Sequence, residues 1–299
     1  MTAGLRKTAA LLALAVMFTG CSAPAESESG AALPDVVGSM DIRYAEQFSV
    51  DYLADGSALA EVADGRRYLI IPDGGEVPEH LPEDVTVISQ PENIYLASSS
   101  SMDLFSSLDC LGDILASSTP ESGWKLPEIA QAMADEDILY AGKYSSPDIE
   151  LLMSEGCDLA IENMMIYHSP KTAEQIESCG IPVFIERSSA ESHPLGRLEW
   201  VRLYGLMLGK SDEAEKFFSE KCSLLDEVTS RESTGCTAAF FYISSNGSAV
   251  VRKPGDYISK MIELAGGKYV FTAGDLNVDE NALSSANIQF EAFYALAKD

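Results

Sequence analysis

Histidine is scarce in this chain of 299 residues: His80, His168 and His193 are its only three. Its six cysteines form no CxxC pair and no cluster with histidine, so a zinc centre has no ligand set to draw on. Basic residues are few, 20 against 47 acidic ones, for a formal net charge of −27. Such a surface repels nucleic acid and anionic lipid headgroups. No G-x-S-x-G occurs, which removes the nucleophile elbow of the common hydrolases. Leu208-Gly209-Lys210-Ser211 shares its last letters with a phosphate-binding loop, but Tyr204 stands where that loop needs glycine, and a helical pattern precedes it. No two-histidine zinc helix appears. A cofactor-free acid–base hydrolase on an α/β scaffold remains compatible with so many carboxylates.

The one strongly apolar run is short. Arg6 and Lys7 precede Ala9 to Phe18, and Thr19-Gly20-Cys21 follows. A basic start and a brief apolar stretch make an export leader, too short to span a bilayer. The cleavage region resembles the bacterial lipobox, with Phe18 where leucine is usual. That resemblance implies lipid attachment at Cys21 and a position on the outer face of the cell membrane, held by the lipid anchor alone. The chain from Cys21 onward then carries a net charge of −29. With Cys21 lipidated, five cysteines remain: Cys110, Cys157, Cys179, Cys222 and Cys236. Cys157 and Cys179 each precede an expected strand. A disulfide between them fits that placement, and so do two buried free thiols, which are the expectation.

Patterning divides the chain into a leader (1–20), a small, polar, proline-containing tether (21–40), a first lobe (41–192), a helical connector (193–231) and a second lobe (232–299). The first lobe opens with short strands over 42–72, broken at Ala54-Asp55-Gly56 and Asp64-Gly65. From about residue 85, strands such as VTVIS, NIYLASS, DILAS, DLAIEN and IPVFIE alternate with helical stretches. That alternation argues for a parallel, doubly wound α/β sheet. The connector shows two helical patterns in succession, the second opening at Ser211 with Asp212 and Glu213 in its first turn. Strands CTAAFFYIS, AVVR and KYVF then resume the alternation. A closing amphipathic helix takes in Ile288, Phe290, Phe293, Tyr294 and Leu296.

Two stretches echo one another. Ile149-Glu150 opens a helix that runs to Asp158, and Phe290-Glu291 opens one that runs to Asp299. Together with the lipobox, the first lobe, the long connector and the segment YISKMIELAGGKYVF, this resembles the helical-backbone class of substrate-binding lipoproteins of ABC importers. That class binds ferric siderophores, haem and vitamin B12. The resemblance covers most of the chain from about residue 85. It implies two Rossmann-like α/β lobes joined by a long helix and a monomer without catalytic groups or a resident cofactor. It also implies docking of Glu150 and Glu291 on the two permease subunits that work with an ATPase. The class usually has proline before the aspartate, where this chain has Cys157 and Lys298. By the same echo the second lobe is expected to be truncated at Asp299, short of roughly 60–80 residues by analogy with domain sizes.

Ligands of open α/β sheets sit at the carboxyl ends of the strands. The loops there are 98–101, 143–144, 163–168, 186–187, 244–246 and 252–253. Tyr144, Met164, Met165 and Tyr167 offer adaptable apolar contact. Arg187, Arg252 and Lys253 suit carboxylates or anionic iron-chelating groups. His168 is placed to touch a metal chelate or haem, and Asn246 sits in a turn facing the same side. Importers of bare zinc or manganese use several histidines, so a small-molecule metal chelate is the expected ligand. The rival readings are the secreted hydrolytic enzyme and a surface lipoprotein with no transport role.

Overall fold

The computed structural model describes residues 33–298. The leader, Cys21 and most of the tether lie outside the described residues. Five strands open the chain: β1 (Val36–Ser39), β2 (Phe48–Leu53), β3 (Ala58–Val62), β4 (Arg67–Ile71) and β5 (Val85–Ser89). They form one sheet in sequence order, antiparallel up to β4 and parallel between β4 and β5. β1 falls within the stretch expected to be tether. Val36 and Val37 are exposed there, and the strand is held by its ladder to β2 rather than by burial, so hydrophobic patterning gave no sign of it. The two Asp-Gly turns behave as expected: Gly56 and Gly65 both sit at φ +88°, and the preceding aspartates accept backbone N–H bonds from Ser57 and Arg66.

The doubly wound part follows. Its elements are β6 (Ile94–Leu96), α1 (Met102–Ser107), β7 (Ile114–Ser117), α2 (Pro127–Ala134), β8 (Leu139–Tyr140), a small hairpin of β9 (Gly142–Lys143) and β10 (Ser146–Pro147), α3 (Ile149–Ser154), β11 (Leu159–Asn163), α4 (Pro170–Ser178) and β12 (Val183–Glu186). The sheet order is β12-β11-β6-β7-β8, all parallel. β5 was expected here but belongs to the opening sheet, where it pairs with β4. Strands buried on both faces read as near-continuous apolar runs, and alternate residues divide between two cores. Ile94, Leu96, Leu159, Ile161 and Phe184 face the opening sheet, while Tyr95, Ala116, Ala160, Val183 and Ile185 face α3 and α4.

α5 (Pro194–Met207) and α6 (Ser211–Thr229) come next. They are more than a strut. Trp200, Leu203, Tyr204 and Phe218 are fully buried in the first core, so α5 completes the first lobe. Two buried carboxylates fasten the residues before β2 onto it. Glu199 accepts the backbone N–H groups of Arg43, Tyr44 and Ala45 at 2.9, 2.7 and 2.9 Å and pairs with Arg202 at 3.0 Å. Glu191 accepts those of Glu46 and Gln47 and the indole N–H of Trp200. α6, with 19 residues, reaches about 28 Å.

The second lobe holds β13 (Thr237–Ala238), β14 (Phe241–Ile243), β15 (Ala249–Arg252), α7 (Tyr257–Leu264), β16 (Lys268–Tyr269), α8 (Ala273–Leu276), β17 (Ser285–Ile288) and α9 (Phe290–Ala297). β13 and β16 pair in parallel, and β14-β15-β17 form an antiparallel sheet. The expected single strand CTAAFFYIS is broken between Ala238 and Phe241. Ser285–Ile288 is strand rather than the start of the closing helix, because it has β15 to pair with. A small core of Val251, Tyr269, Phe271 and Phe293 holds this lobe. Phe240, Phe241, Tyr242, Ile243, Phe290 and Tyr294 are exposed.

All five cysteines among the described residues are free. Cys157 is buried, but Cys179 is exposed, which corrects the expectation that both are covered.

Candidate functional site

The parallel sheet sets the geometry. The loops leaving β6, β11 and β12 converge at its carboxyl edge. There they form a depression of about 290 Å³, lined by Ser98, Ser99, Ser100, Asn163, Met164, Met165 and Ser189. Behind it sits Glu186, the last residue of β12, with no exposed surface. Its carboxylate accepts the Ser98 hydroxyl at 2.8 Å, the Ser100 hydroxyl at 3.4 Å and the Ser188 N–H at 2.5 Å. A carboxylate only accepts, so the direction of the neighbouring bonds follows. Ser98 spends its proton on Glu186 and accepts from Ser101 at 3.3 Å. Tyr204 must then donate to Ser101 across their 2.9 Å contact, and Ser100 must donate inward, to Glu186 or to Ser98 at 3.0 Å. Burial pushes the Tyr204 phenol well above its ordinary range, which keeps it a donor.

A second cavity, about 510 Å³, lies between the lobes. Glu46, Gln47, Ser192 and His193 wall it on the side of the first lobe, with Pro254, Gly255, Lys260, Glu263, Glu280 and Asn281 opposite. Gly255 is required there, since a β-carbon would meet the backbone of Asn281 at 2.5 Å. His193 caps α5: its Nδ1 accepts the Leu195 N–H at 3.1 Å, and its ring stacks on Tyr44 at 4.7 Å. Burial, helped by Lys260, lowers its pKa, so the neutral form with the proton on Nε2 is favoured. In that tautomer Nε2 is a donor rather than a metal ligand.

The expected ligand-binding residues scatter. Met164 and Met165 line the first depression. Tyr167 and Arg187 lie beside it, tied into a chain. Arg187 donates to Gln47 at 3.2 and 3.1 Å and to the Tyr167 hydroxyl at 3.0 Å, and Tyr167 donates to Asp64 at 2.6 Å. His168 is exposed. Tyr144 packs against the core under α3 and α4. Asn246 is a turn residue whose side chain accepts from Ser244 and from the Ser248 N–H. Arg252 lies 3.7 Å from Asp256 and over the Phe240 ring, and Lys253 is half-buried beside it. The residues of the inter-lobe cavity went unnoticed in the sequence. They come from the loops before β2, after β12, after β15 and after α8 and from α7 itself, which no local pattern links.

Glu150 and Glu291 occupy equivalent places, each the second residue of its helix, exposed and outside every ion pair among the described residues. Asp158, the partner of Glu150 in the sequence echo, accepts the Glu92 N–H at 2.8 Å and the Asn93 N–H at 3.2 Å and so clamps the start of β6. Among the described residues there is no grouping of three or more His, Cys, Asp or Glu able to hold a metal ion, and no helix is long and apolar enough to cross a membrane.

No protein-family model matches the chain. Over 256 residues, 79% of the chain, it is 25% identical to an uncharacterised lipoprotein of Methanocaldococcus jannaschii. The chain spans 58% of the length of that curated relative. Among solved structures it resembles the periplasmic haem-binding protein HutB of Vibrio cholerae, with a TM-score of 0.55 and 14% identity over 68% of this chain and 72% of that one. It also resembles the petrobactin-binding protein YclQ of Bacillus subtilis, at 0.57 and 12% over 80% and 74%. A periplasmic haem-binding protein of Pseudomonas aeruginosa matches at 0.53 and 17% over 69% of each chain. The chain therefore has the α/β fold of the periplasmic substrate-binding proteins. Each of these three solved relatives is, by its name, a binding protein.

Proposed function

We propose that this chain is the substrate-binding component of an ABC importer. It captures an iron–siderophore, haem or corrinoid-type chelate between its lobes and delivers it to a permease dimer driven by an ATPase. A lipid on Cys21 would hold it at the extracytoplasmic face of the membrane. The reading is carried by the cavity of about 510 Å³ between the lobes, which falls within the size range of small-molecule sites. The fold and the lipoprotein relative support it. Binding, rather than catalysis, suits a cavity whose His193 is locked into a helix cap and whose carboxylates are exposed.

The test is a titration of the purified protein with haem, cobalamin and a panel of ferric siderophores, followed by quenching of Trp124 and Trp200 fluorescence. Saturable binding of one class at micromolar or lower concentration is expected. No binding by any member, alongside hydrolytic activity, sinks the reading.

A further inference from the structure

We propose that Arg197 and Tyr257 form the pivot that fixes the two lobes against each other, so that Arg197 is a positioning residue for the cavity between them. This deepens the substrate-binding reading above and rests on it only for the use of that cavity.

The lobes share little. No sheet runs from one into the other. Their apolar cores are separate too: those of the first lobe draw on nothing beyond α6, and that of the second on nothing before Ala249. Among the described residues no hydrogen bond or ion pair crosses from residues 33–231 to residues 232–298. α7 nevertheless packs on α5 and α6. In that contact the Arg197 guanidinium lies over the Tyr257 ring at 4.1 Å. Both residues are half-buried, which strengthens the attraction between a cation and the electron-rich face of a ring. Arg197 pairs with no carboxylate among the described residues, so its charge is left to Tyr257.

The pair stands one helical turn from each wall of the cavity. His193, a wall residue, caps α5 one turn before Arg197, and Lys260, on the opposite wall, follows Tyr257 by one turn of α7. Turning α7 about this contact would carry Lys260 and Glu263 toward or away from Glu46 and His193, and so change the width of the cavity. The side chain that sets the cleft therefore need not touch the ligand.

The chain carries its own reporters. Cys179, at the end of α4, and Cys236, whose carbonyl accepts the Lys268 N–H at 2.8 Å in the second lobe, are the exposed cysteines among the described residues. In the full chain carrying Cys21→Ser, nitroxide labels on these two thiols report the distance between the lobes by pulsed electron resonance, with no ligand added. Wild type and Tyr257→Phe, which keeps the ring, are expected to give one narrow distribution. Arg197→Met, which keeps the length of the side chain without its charge, and Tyr257→Leu, which removes the ring, should each raise the population outside that distribution about fivefold, the worth of one cation–π contact. The double variant should add nothing to either single change. Circular dichroism separates a displaced lobe from an unfolded one, and the variants lie on two different helices, so the test survives misfolding of either. A broad wild-type distribution, a wild-type result in Arg197→Met, or a Tyr257→Phe as broad as Tyr257→Leu would overturn this inference. Since no ligand enters the measurement, each of those results leaves the importer reading to the titration above.

Discussion

Glu162 is an acid buried without a partner. It sits on β11 with no exposed surface, and neither of its carboxyl oxygens has a hydrogen-bond partner. The hydroxyl of Tyr95, on the same face of the neighbouring strand, lacks one too. Burial raises the Glu162 pKa from the ordinary 4.5 to about 8, so the folded protein carries a neutral acid there at neutral pH. The unfolded chain releases that proton near 4.5, whereas the folded chain holds it until about 8. Between those values the folded state binds more protons, so stability falls as pH rises, by about 5 kcal/mol in all. Glu162→Gln keeps the shape and removes the titration. Urea unfolding at about pH 5 and about pH 9 should show wild type losing stability over that interval and the variant losing far less. Equal slopes would refute the assignment. The sequence placed Glu162 in a strand correctly, but nothing in DLAIEN shows that its carboxyl points into a core, because both faces of a central parallel strand are covered.

At the scale of elements, residues 43–45 are fastened to α5 through one side chain. Three backbone N–H groups converge on Glu199, which is fully buried and paired with Arg202. Glu199→Gln leaves at most one oxygen for those three donors and leaves Arg202 with Glu215, at 2.8 Å, as its remaining carboxylate partner. The expected loss is roughly 3 kcal/mol in urea unfolding, with hydrogen exchange rising first at Arg43, Tyr44 and Ala45. His193 offers a milder case at the start of α5. Its pKa is lowered, so it contributes stability while neutral and loses it as pH falls below its unfolded value near 6.5. His193→Asn, which also caps, should remove that acid sensitivity in thermal unfolding between about pH 7 and pH 5. Elements of this kind divide the legible from the illegible. The parallel strands, α2, α4, α6 and α7 were read from apolar runs and period. β17 was not: Ser285–Ile288 is short and half-polar, and its strand identity comes from β15, more than thirty residues earlier. The serine loop after β6 was flagged because strand ends are legible. A cleft between the lobes was expected, but the residues that line its cavity were not, because those walls meet only in the folded chain.

At the scale of the whole molecule, Glu150 in the first lobe and Glu291 in the second make a testable pair. Glu150 and Glu291 stand at the second position of α3 and α9, and each helix N-terminus favours an acid there. That preference alone explains a carboxylate at either site, and it predicts only a small loss of stability on substitution. Docking on permease arginines predicts something different, since each bidentate arginine–carboxylate pair is strong and the two pairs together report the spacing of the lobes. Glu150→Arg and Glu291→Arg reverse the charge at exposed positions that line neither cavity. If both glutamates dock, each single variant should lower ligand uptake in cells or proteoliposomes about tenfold or more, the double variant should abolish it, and ligand affinity of the isolated protein should stay unchanged. Helix capping alone would leave uptake intact and shift the unfolding midpoint by well under 1 kcal/mol. Measuring uptake, binding and unfolding on the same variants separates the two, because only docking uncouples transport from ligand capture.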